Sequence, residues 1–339
     1  MALWFLLLAC GLVAIATWAV TALVLRALHH HQVYDQPNER SSHDEAKPRG
    51  GGLAVVPVLL LAWVGAQIWL GTPPGFWSAM IGVALVAVVS WWDDLKDLPA
   101  ALRLLAQALA VGIGLAGFGE VGAIFQGLLP AGLDWFLAGL LWLWFINLFN
   151  FMDGIDGISG VEAAAIGIGL GLVAWLGELP LIASALPWLL AAAALGFLVL
   201  NWEPSKIFLG DVGSVSLGFL LGWLLLRTAA EGQWAPALIL PAYYLADASL
   251  TLARRALRRA PIWRAHREHF YQRAVQGGLS HARVSGYVAL CNVALVAFAM
   301  LAVAGQLGWA LAASALTTLG LLVVLRRAGS SRPVADPRP

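Results

Sequence analysis

The chain has 339 residues, 60% of them hydrophobic and 12% charged, with a formal net charge of +1 at pH 7. Soluble domains average roughly 45–50% apolar residues, so this composition excludes a soluble globular protein, and near-neutrality excludes the strongly basic surface that nucleic-acid binding needs. Cys10 and Cys291 are the two cysteines and both lie in apolar runs, which excludes a disulfide framework and a thiolate metal site.

A helix crosses the hydrocarbon layer in about 20 residues. Runs of that size predict eleven spans, at 2–28, 51–70, 76–92, 102–118, 133–150, 160–177, 181–200, 212–228, 234–252, 284–304 and 307–327. The first exceeds the apolar core of a signal peptide and has no basic stretch before it, so it is expected to be retained. The weakest is 102–118, which holds Arg103 and Gln107. Lipid tolerates no unpaired backbone, so the spans are expected to be helices, and the 36 glycines suit their close approach. Trp4, Trp69, Trp77, Trp91 and Trp92 fall at span ends, as an interfacial belt predicts. The expected fold is all-α, a polytopic integral membrane protein of about eleven transmembrane helices.

The loops alternate in charge. Of the 20 Lys and Arg residues, only Arg227 lies on the side opposite the rest. The positive-inside rule then places the C-terminus and the loops after spans 1, 3, 5, 7 and 9 in the cytoplasm, with the N-terminus outside. The outer loops are short and chemically poor, so function is expected at the cytoplasmic face.

Four sets of polar residues there need explaining. Asp93 and Asp94 follow the run Val88-Val89-Ser90-Trp91-Trp92 at the end of span 3. A helix C-terminus disfavours anions by roughly 0.3–1 kcal/mol each, so an acidic pair there suits metal or phosphate chemistry, with a solvated pair softened by Lys96 as the plainer reading. Asn147, Asn150 and Asp153 recur every three residues, which puts polar groups on one helix face at the membrane edge. Asp156 follows, between Gly154 and Gly157, and is also a candidate helix N-cap. The next loop runs from Asn201 through Lys206 and Phe208 to Asp211 and Ser214, and its glycine setting suits a cation, an anion and a flat base, although Asp211 too is a candidate cap. Last comes the basic stretch Arg254-Arg255-Ala-Leu-Arg258-Arg259, followed by His266, Arg267 and His269. Anionic lipid explains the arginines. Two histidines three apart, without further local ligands for zinc, fit phosphate binding or proton transfer better. His29-His30-His31, at the end of span 1, reads as an interfacial polar segment.

Together these residues supply hard oxygen ligands, which favour magnesium or manganese. Lys47, Lys96, Arg103, Lys206 and Arg267 supply phosphate partners. The combination points to phosphoryl transfer between a water-soluble donor and a lipid acceptor. A transporter is the competing class, but transporters place ionisable groups near the bilayer midplane, and Asp247 is the nearest such group in these spans. Residues 1–327 are accordingly expected to form one transmembrane catalytic domain, with 328–339 as a cytoplasmic tail.

Four ordered motifs carry a resemblance: Asp35-Gln-Pro37-Asn-Glu-Arg40-Ser-Ser-His43 with Pro48-Arg49-Gly50-Gly51-Gly52, then Asp93-Asp94-Leu-Lys96-Asp97, then Asn147-x-x-Asn150-x-x-Asp153-Gly-Ile-Asp156-Gly, then Phe208-Leu-Gly-Asp211-Val-Gly-Ser214. From about residue 34 to 285 the chain resembles the polyprenyl-phosphate N-acetylhexosamine-1-phosphate transferases of glycosyltransferase family 4. The resemblance implies a bacterial inner-membrane enzyme that uses a UDP-N-acetylhexosamine, undecaprenyl phosphate and Mg2+, with Mn2+ as the alternative ion. It implies that Asp93 and Asp94 are the essential acidic pair and that Asp211 is the metal ligand with Asn150 as the second. It assigns Asn147, Asp153, Asp156, Asn201 and Phe208 to the nucleotide, Phe208 stacking on uracil, and Lys96, Arg103, His266, Arg267 and His269 to phosphate or sugar. The spacing of His266 and His269 looks closest to the branch that initiates O-antigen or other surface glycans, the muramoyl-pentapeptide branch being the runner-up. A homodimer is implied by resemblance only.

Overall fold

In a computed structural model, the protein is described over residues 3–32, 34–35, 46–96, 98–119, 121–179, 181–261 and 266–330. Its elements are α1 (Leu3–His30), the two-residue strands β1 (Tyr34–Asp35) and β2 (Lys47–Pro48), α2 (Gly52–Leu70), α3 (Phe76–Lys96), α4 (Ala100–Ala116), α5 (Ala131–Met152), α6 (Ile158–Leu176) and α7 (Leu181–Asn201). They continue with α8 (Gly210–Ala230), α9 (Trp234–Ile239), α10 (Ala242–Leu257), α11 (Phe270–Gln276), α12 (His281–Val303) and α13 (Leu307–Gly329). The protein is an all-α, multi-pass membrane protein, its one antiparallel ribbon pairing Tyr34 with Pro48. Most of the first-loop motif, residues 36–45, and most of the expected tail lie outside the described residues.

Among the described residues, eight helices are long and apolar enough to cross a membrane: α1, α2, α3, α5, α6, α8, α12 and α13. The 17-residue α4 is apolar but shorter, and the 21-residue α7 is apolar over Ala185–Asn201. The expected span 234–252 is not one helix. It breaks between α9 and α10, where Pro241 has no N–H and its ring crowds the carbonyl four residues back. Length and hydropathy therefore do not reach the expected eleven.

At the centre stands α8, whose membrane window is entirely buried by its neighbours. Two glycines allow that. A Cβ on Gly52 would collide with the backbone of Gly213, so α2 and α8 touch there, and Gly222 leaves room for the Trp142 indole. That indole Nε1 donates to the Phe219 carbonyl at 2.9 Å and its ring lies 4.7 Å from the Phe219 ring, locking α5 to α8. Helix ends also differ from expectation in ways that matter for the site. Helix α8 begins at Gly210, so Asp211 sits in its first turn and does not cap it; the N-cap is Leu209. Helix α6 is preceded by Gly157 at φ +82, a left-handed conformation that glycine adopts without strain, so Asp156 is not its cap either. Glu162 lies within α6, fully buried, and accepts from Asn292 Nδ2 of α12 at 2.7 Å, a polar contact inside the bundle beside the one expected at Asp247.

Candidate active site

The ends of α3, α5 and α8 meet the segment before α2. Asp93 and Asp94 occupy the last turn of α3. Asp93 is buried; its Oδ1 accepts the Leu98 amide at 2.8 Å, closing the turn into α4, and its Oδ2 lies 2.8 Å from Arg103 Nη1. Asp94 Oδ1 lies 3.2 Å from Arg49 Nη2, and the same guanidinium pairs with Asp211. Arg103 also reaches Asp211 Oδ2, at 3.8 Å. Two guanidiniums against three carboxylates leave one negative charge uncompensated, and both arginines are more than a third exposed.

Beside this cluster is a cavity of about 190 Å3 lined by Asp93, Arg103, Gln107, Asn147, Asn150 and Asp211. The polar face of α5 supplies its floor. Asn147 Nδ2 donates to Gln107 Oε1 at 2.7 Å and to the Leu143 carbonyl at 2.8 Å. Asn150 Oδ1 accepts from Ser214 Oγ at 2.5 Å. Asp153 ends α5; burial pushes its carboxyl up to about 6, against the lowering effect of a Ser159 hydrogen bond and of the Arg49 charge.

A second polar cluster forms where the Pro48–Gly52 segment runs along the 205–209 loop. The Phe208 amide donates to the Pro48 carbonyl at 2.9 Å, and the Phe208 carbonyl accepts from the Gly50 and Gly51 amides at 3.2 and 2.8 Å. Lys47 Nζ lies 5.5 Å from the Phe208 ring centroid, 3.5 Å from Asp156 Oδ2 and 3.2 Å from Ser205 Oγ. Asp156 also accepts the Ser205 amide at 3.0 Å, and His281 Nδ1 lies 3.4 Å from its Oδ1. Burial works to raise that carboxyl, but His281 and Ser205 together overcome it and hold Asp156 well below the usual carboxylate range. Asn201 is a strut: its Oδ1 takes the Gly157 amide at 3.0 Å and its Nδ2 gives to the Ile207 carbonyl at 2.9 Å.

The last connection is tied down from below by α10. His269 Nδ1 lies 3.1 Å from Asp247 Oδ1, and the His266 ring stacks on His269 at 5.0 Å. Burial, with help from His269 and Arg255, lowers His266 to about 4, so its ring is neutral at pH 7. Arg255, Arg258 and Arg273 converge on Glu268. Tyr271 Oη donates to the Phe151 carbonyl at 3.0 Å, which sets this connection against the turn that carries Asp153.

A family model described as glycosyl transferase family 4 matches residues 76–229. A relative from Bacillus subtilis named "Probable undecaprenyl-phosphate N-acetylglucosaminyl 1-phosphate transferase" is 30% identical over 274 residues, 77% of this chain and 75% of its own length. The chain belongs to glycosyl transferase family 4. It is 28% identical over 287 residues to the undecaprenyl-phosphate alpha-N-acetylglucosaminyl 1-phosphate transferase of Escherichia coli, covering 79% of this chain and 76% of that one. It is also 35% identical over 253 residues to a phospho-N-acetylmuramoyl-pentapeptide-transferase of Streptococcus thermophilus, covering 69% and 73%.

This family 4 transferase thus brings together most of the residues singled out in its sequence: Asp93, Arg103, Asn147, Asn150 and Asp211 around one cavity, with Asp94 joined to Asp211 through Arg49, and Lys47, Asp156, Asn201 and Phe208 in a second cluster. Lys96 and Lys206 are exposed, and neither joins the ion pairs of these clusters. The Arg267 carbonyl accepts from Gln276, which fixes its backbone. Sequence reasoning gave no site role to five participants: Arg49, Gln107, Ser214, Tyr271 and His281. Arg49 and Ser214 stood within the motifs, and Gln107 carried a signal as an amide inside an apolar run.

The Asp211 carboxylate and the Asn150 amide oxygen line the cavity, hard oxygen ligands that fit a divalent cation. Among the described residues no group of three or more His, Cys, Asp or Glu side chains forms a closed metal cage. Magnesium usually takes one or two carboxylates together with substrate phosphates, so this partial set, with its surplus negative charge, suits an ion that arrives with a diphosphate.

Proposed function

We propose that this enzyme transfers N-acetylhexosamine-1-phosphate from a UDP-sugar to undecaprenyl phosphate, releasing UMP and initiating a surface glycan of the O-antigen kind. The observation that carries the reading is the cluster of Asp93, Asp94 and Asp211 with Arg49 and Arg103 beside the Asn147 and Asn150 face. The site then lies at the cytoplasmic face of a bacterial inner membrane, with the N-terminus outside, because Arg227 is the one basic residue on the far side of the spans.

In the reaction, an oxygen of the acceptor phosphate forms a bond to the β-phosphorus of the donor. The bond from that phosphorus to the bridging oxygen breaks, and the bridging oxygen leaves on UMP. A phosphate monoester has its second pKa near about 6, so the acceptor is largely dianionic at neutral pH and needs no general base. Asp211, with Asn150 beside it, would hold Mg2+ or Mn2+, which would supply positive charge to the diphosphate. Arg49 and Arg103 turn from their carboxylates toward phosphate oxygens as substrate enters. Asp93 spends its oxygens on Leu98 and Arg103, so it shapes the α3–α4 turn, and Asp94 is the acid that meets substrate. Phe208 stacks on the uracil with Lys47 beside it, while Asp156 and Asn201 fix the frame of that cluster. His266, Arg267 and His269 face donor phosphate or sugar.

The similarity to a phospho-N-acetylmuramoyl-pentapeptide-transferase favours a second reading with that larger donor. The test is UMP release by purified protein with undecaprenyl phosphate, Mg2+ and a panel of donors that includes both classes, run beside Asp211→Ala. Release with one UDP-N-acetylhexosamine, lost in the variant, is the expected result. Release only with the muramoyl-pentapeptide donor selects the second reading, and silence with every donor from folded protein overturns both.

A further inference from the structure

We infer that Asp247 is a positioning residue for this transfer, holding His269 in the Nδ1–H tautomer and docking the last connection against the turn that carries Asp153. The inference rests on the proposed role of His269 at the donor.

Asp247 lies in the second turn of α10, just past the break at Pro241, and is fully buried. Five donors converge on its two oxygens. From its own helix come Tyr243 Oη at 3.2 Å and Thr251 Oγ1 at 3.3 Å. From the last connection come His269 Nδ1 at 3.1 Å and the amides of Phe270 and Tyr271 at 3.1 and 3.3 Å. A carboxylate offers lone pairs only, so Nδ1 of His269 carries the proton and Nε2 keeps its lone pair. This is the arrangement in which a buried acid orients an imidazole and fixes which nitrogen is basic.

The neighbours extend the effect. His266 stacks on the fixed ring at 5.0 Å and Tyr271 at 5.8 Å. Tyr271 Oη then bonds the Phe151 carbonyl at 3.0 Å, two residues before Asp153. One carboxylate therefore sets the ring, its tautomer and the distance of the whole segment from the α5 end. A purely structural cap would need the two amides and would be indifferent to the imidazole.

The substitution Asp247→Asn tests this. With its oxygen kept on the Tyr271 amide, it puts an NH2 in place of the Oδ1 that faces His269 Nδ1 and the Phe270 amide, which favours the opposite tautomer. Loss of such a supporting partner typically costs about 10–100-fold in activity. We expect kcat for UMP release to fall in that range with KM for the lipid phosphate within about twofold, and no further fall when the substitution is added to His269→Ala. A double variant in which the two losses multiply, or a change confined to KM, overturns the inference while UMP release by the unaltered chain upholds the transferase reading. An independent readout uses 15N-histidine spectra of the unaltered chain, with the His269 signals identified by their loss in His269→Ala. Protonation at Nδ1 is expected; an Nε2–H signature overturns the inference even where Asp247→Asn fails to fold. Absence of UMP release from the unaltered chain defeats the transferase reading itself, and the inference with it.

Discussion

The cavity around Asp211 and the polar cluster around Asp156 are bonded in different ways. Asp156 and Asn201 are held from several directions by Lys47, Ser205, His281, the Gly157 amide and the Ile207 carbonyl, all of them parts of the protein. Asp93, Asp94 and Asp211 are held by two arginines that remain more than a third exposed, and the charges do not balance. A group held from several sides by the protein's own donors defines a shape. A charge surplus with partners open to solvent is where a ligand can exchange for them. The difference separates a rigid frame for a base from a place where phosphate charge is handled.

The strongest way to break that distinction is Asp211→Ala, which removes the carboxylate shared by both arginines. UMP release is expected to fall by about 10^3-fold, and a variant with a tenth or more of the original activity would sink the assignment. Arg103→Ala comes next. It strips the charge that pairs with Asp93 and reaches Asp211, and a loss of about 10^2-fold in kcat/KM is expected, as for one charge-assisted contact to a transferring phosphoryl group. An equal response of thermal stability and turnover would show that Arg103 serves the α3–α4 turn alone.

Smaller and more diagnostic is the pH profile of Asp153. Burial raises its carboxyl to about 6, so it is protonated below that pH and ionised above it. With the ionised form needed at the donor, kcat/KM falls as pH drops through about 6. The acceptor phosphate titrates in the same region, so the reading comes from the comparison with Asp153→Asn. That variant is expected to lose about tenfold at pH 7.5 and to show one acid inflection fewer; an unchanged profile removes Asp153 from the titrating groups.

These contrasts also show what the sequence made legible. The polar face of α5 could be read from Asn147, Asn150 and Asp153 because a three-residue repeat is a local signal. The all-α, membrane-spanning class followed from hydropathy alone. Hydropathy averaging also concealed the break at Pro241, because the flanking runs stay apolar on both sides of a residue that cannot continue the helix. Arg49 stood in the Pro48–Gly52 motif, but its role was not legible for another reason. The positive-inside rule accounts for any arginine in such a loop, so nothing local showed that this one joins Asp94 to Asp211. The pairs Asp156 with His281 and Asp247 with His269 are separated by 125 and 22 residues. Each is created by packing between helices, and no spacing within either segment announces it. Glu162 was hidden likewise, near the start of a span, where an acid passes for a loop residue.

The smallest expected effect lies on the rigid side of the comparison. Asp156 is held below the usual carboxylate range, so its ionised form is bound more favourably in the folded protein than in the unfolded chain. For a lowered carboxyl, that contribution is fully present above the unfolded value of about 3.9 and is lost as pH falls through it toward the folded value. Asp156→Asn, which keeps the size and the acceptor for Ser205 but removes the charge facing Lys47 and His281, is expected to lower the melting temperature at pH 7 by about 2–4 °C. Between pH 5 and 3 the unaltered chain should lose stability faster, so that the two curves converge. Tryptophan fluorescence melts across that range measure it. Curves that stay parallel would mean that Asp156 contributes shape without charge, and the frame of the second cluster would then rest on Asn201 and the Pro48–Gly52 backbone.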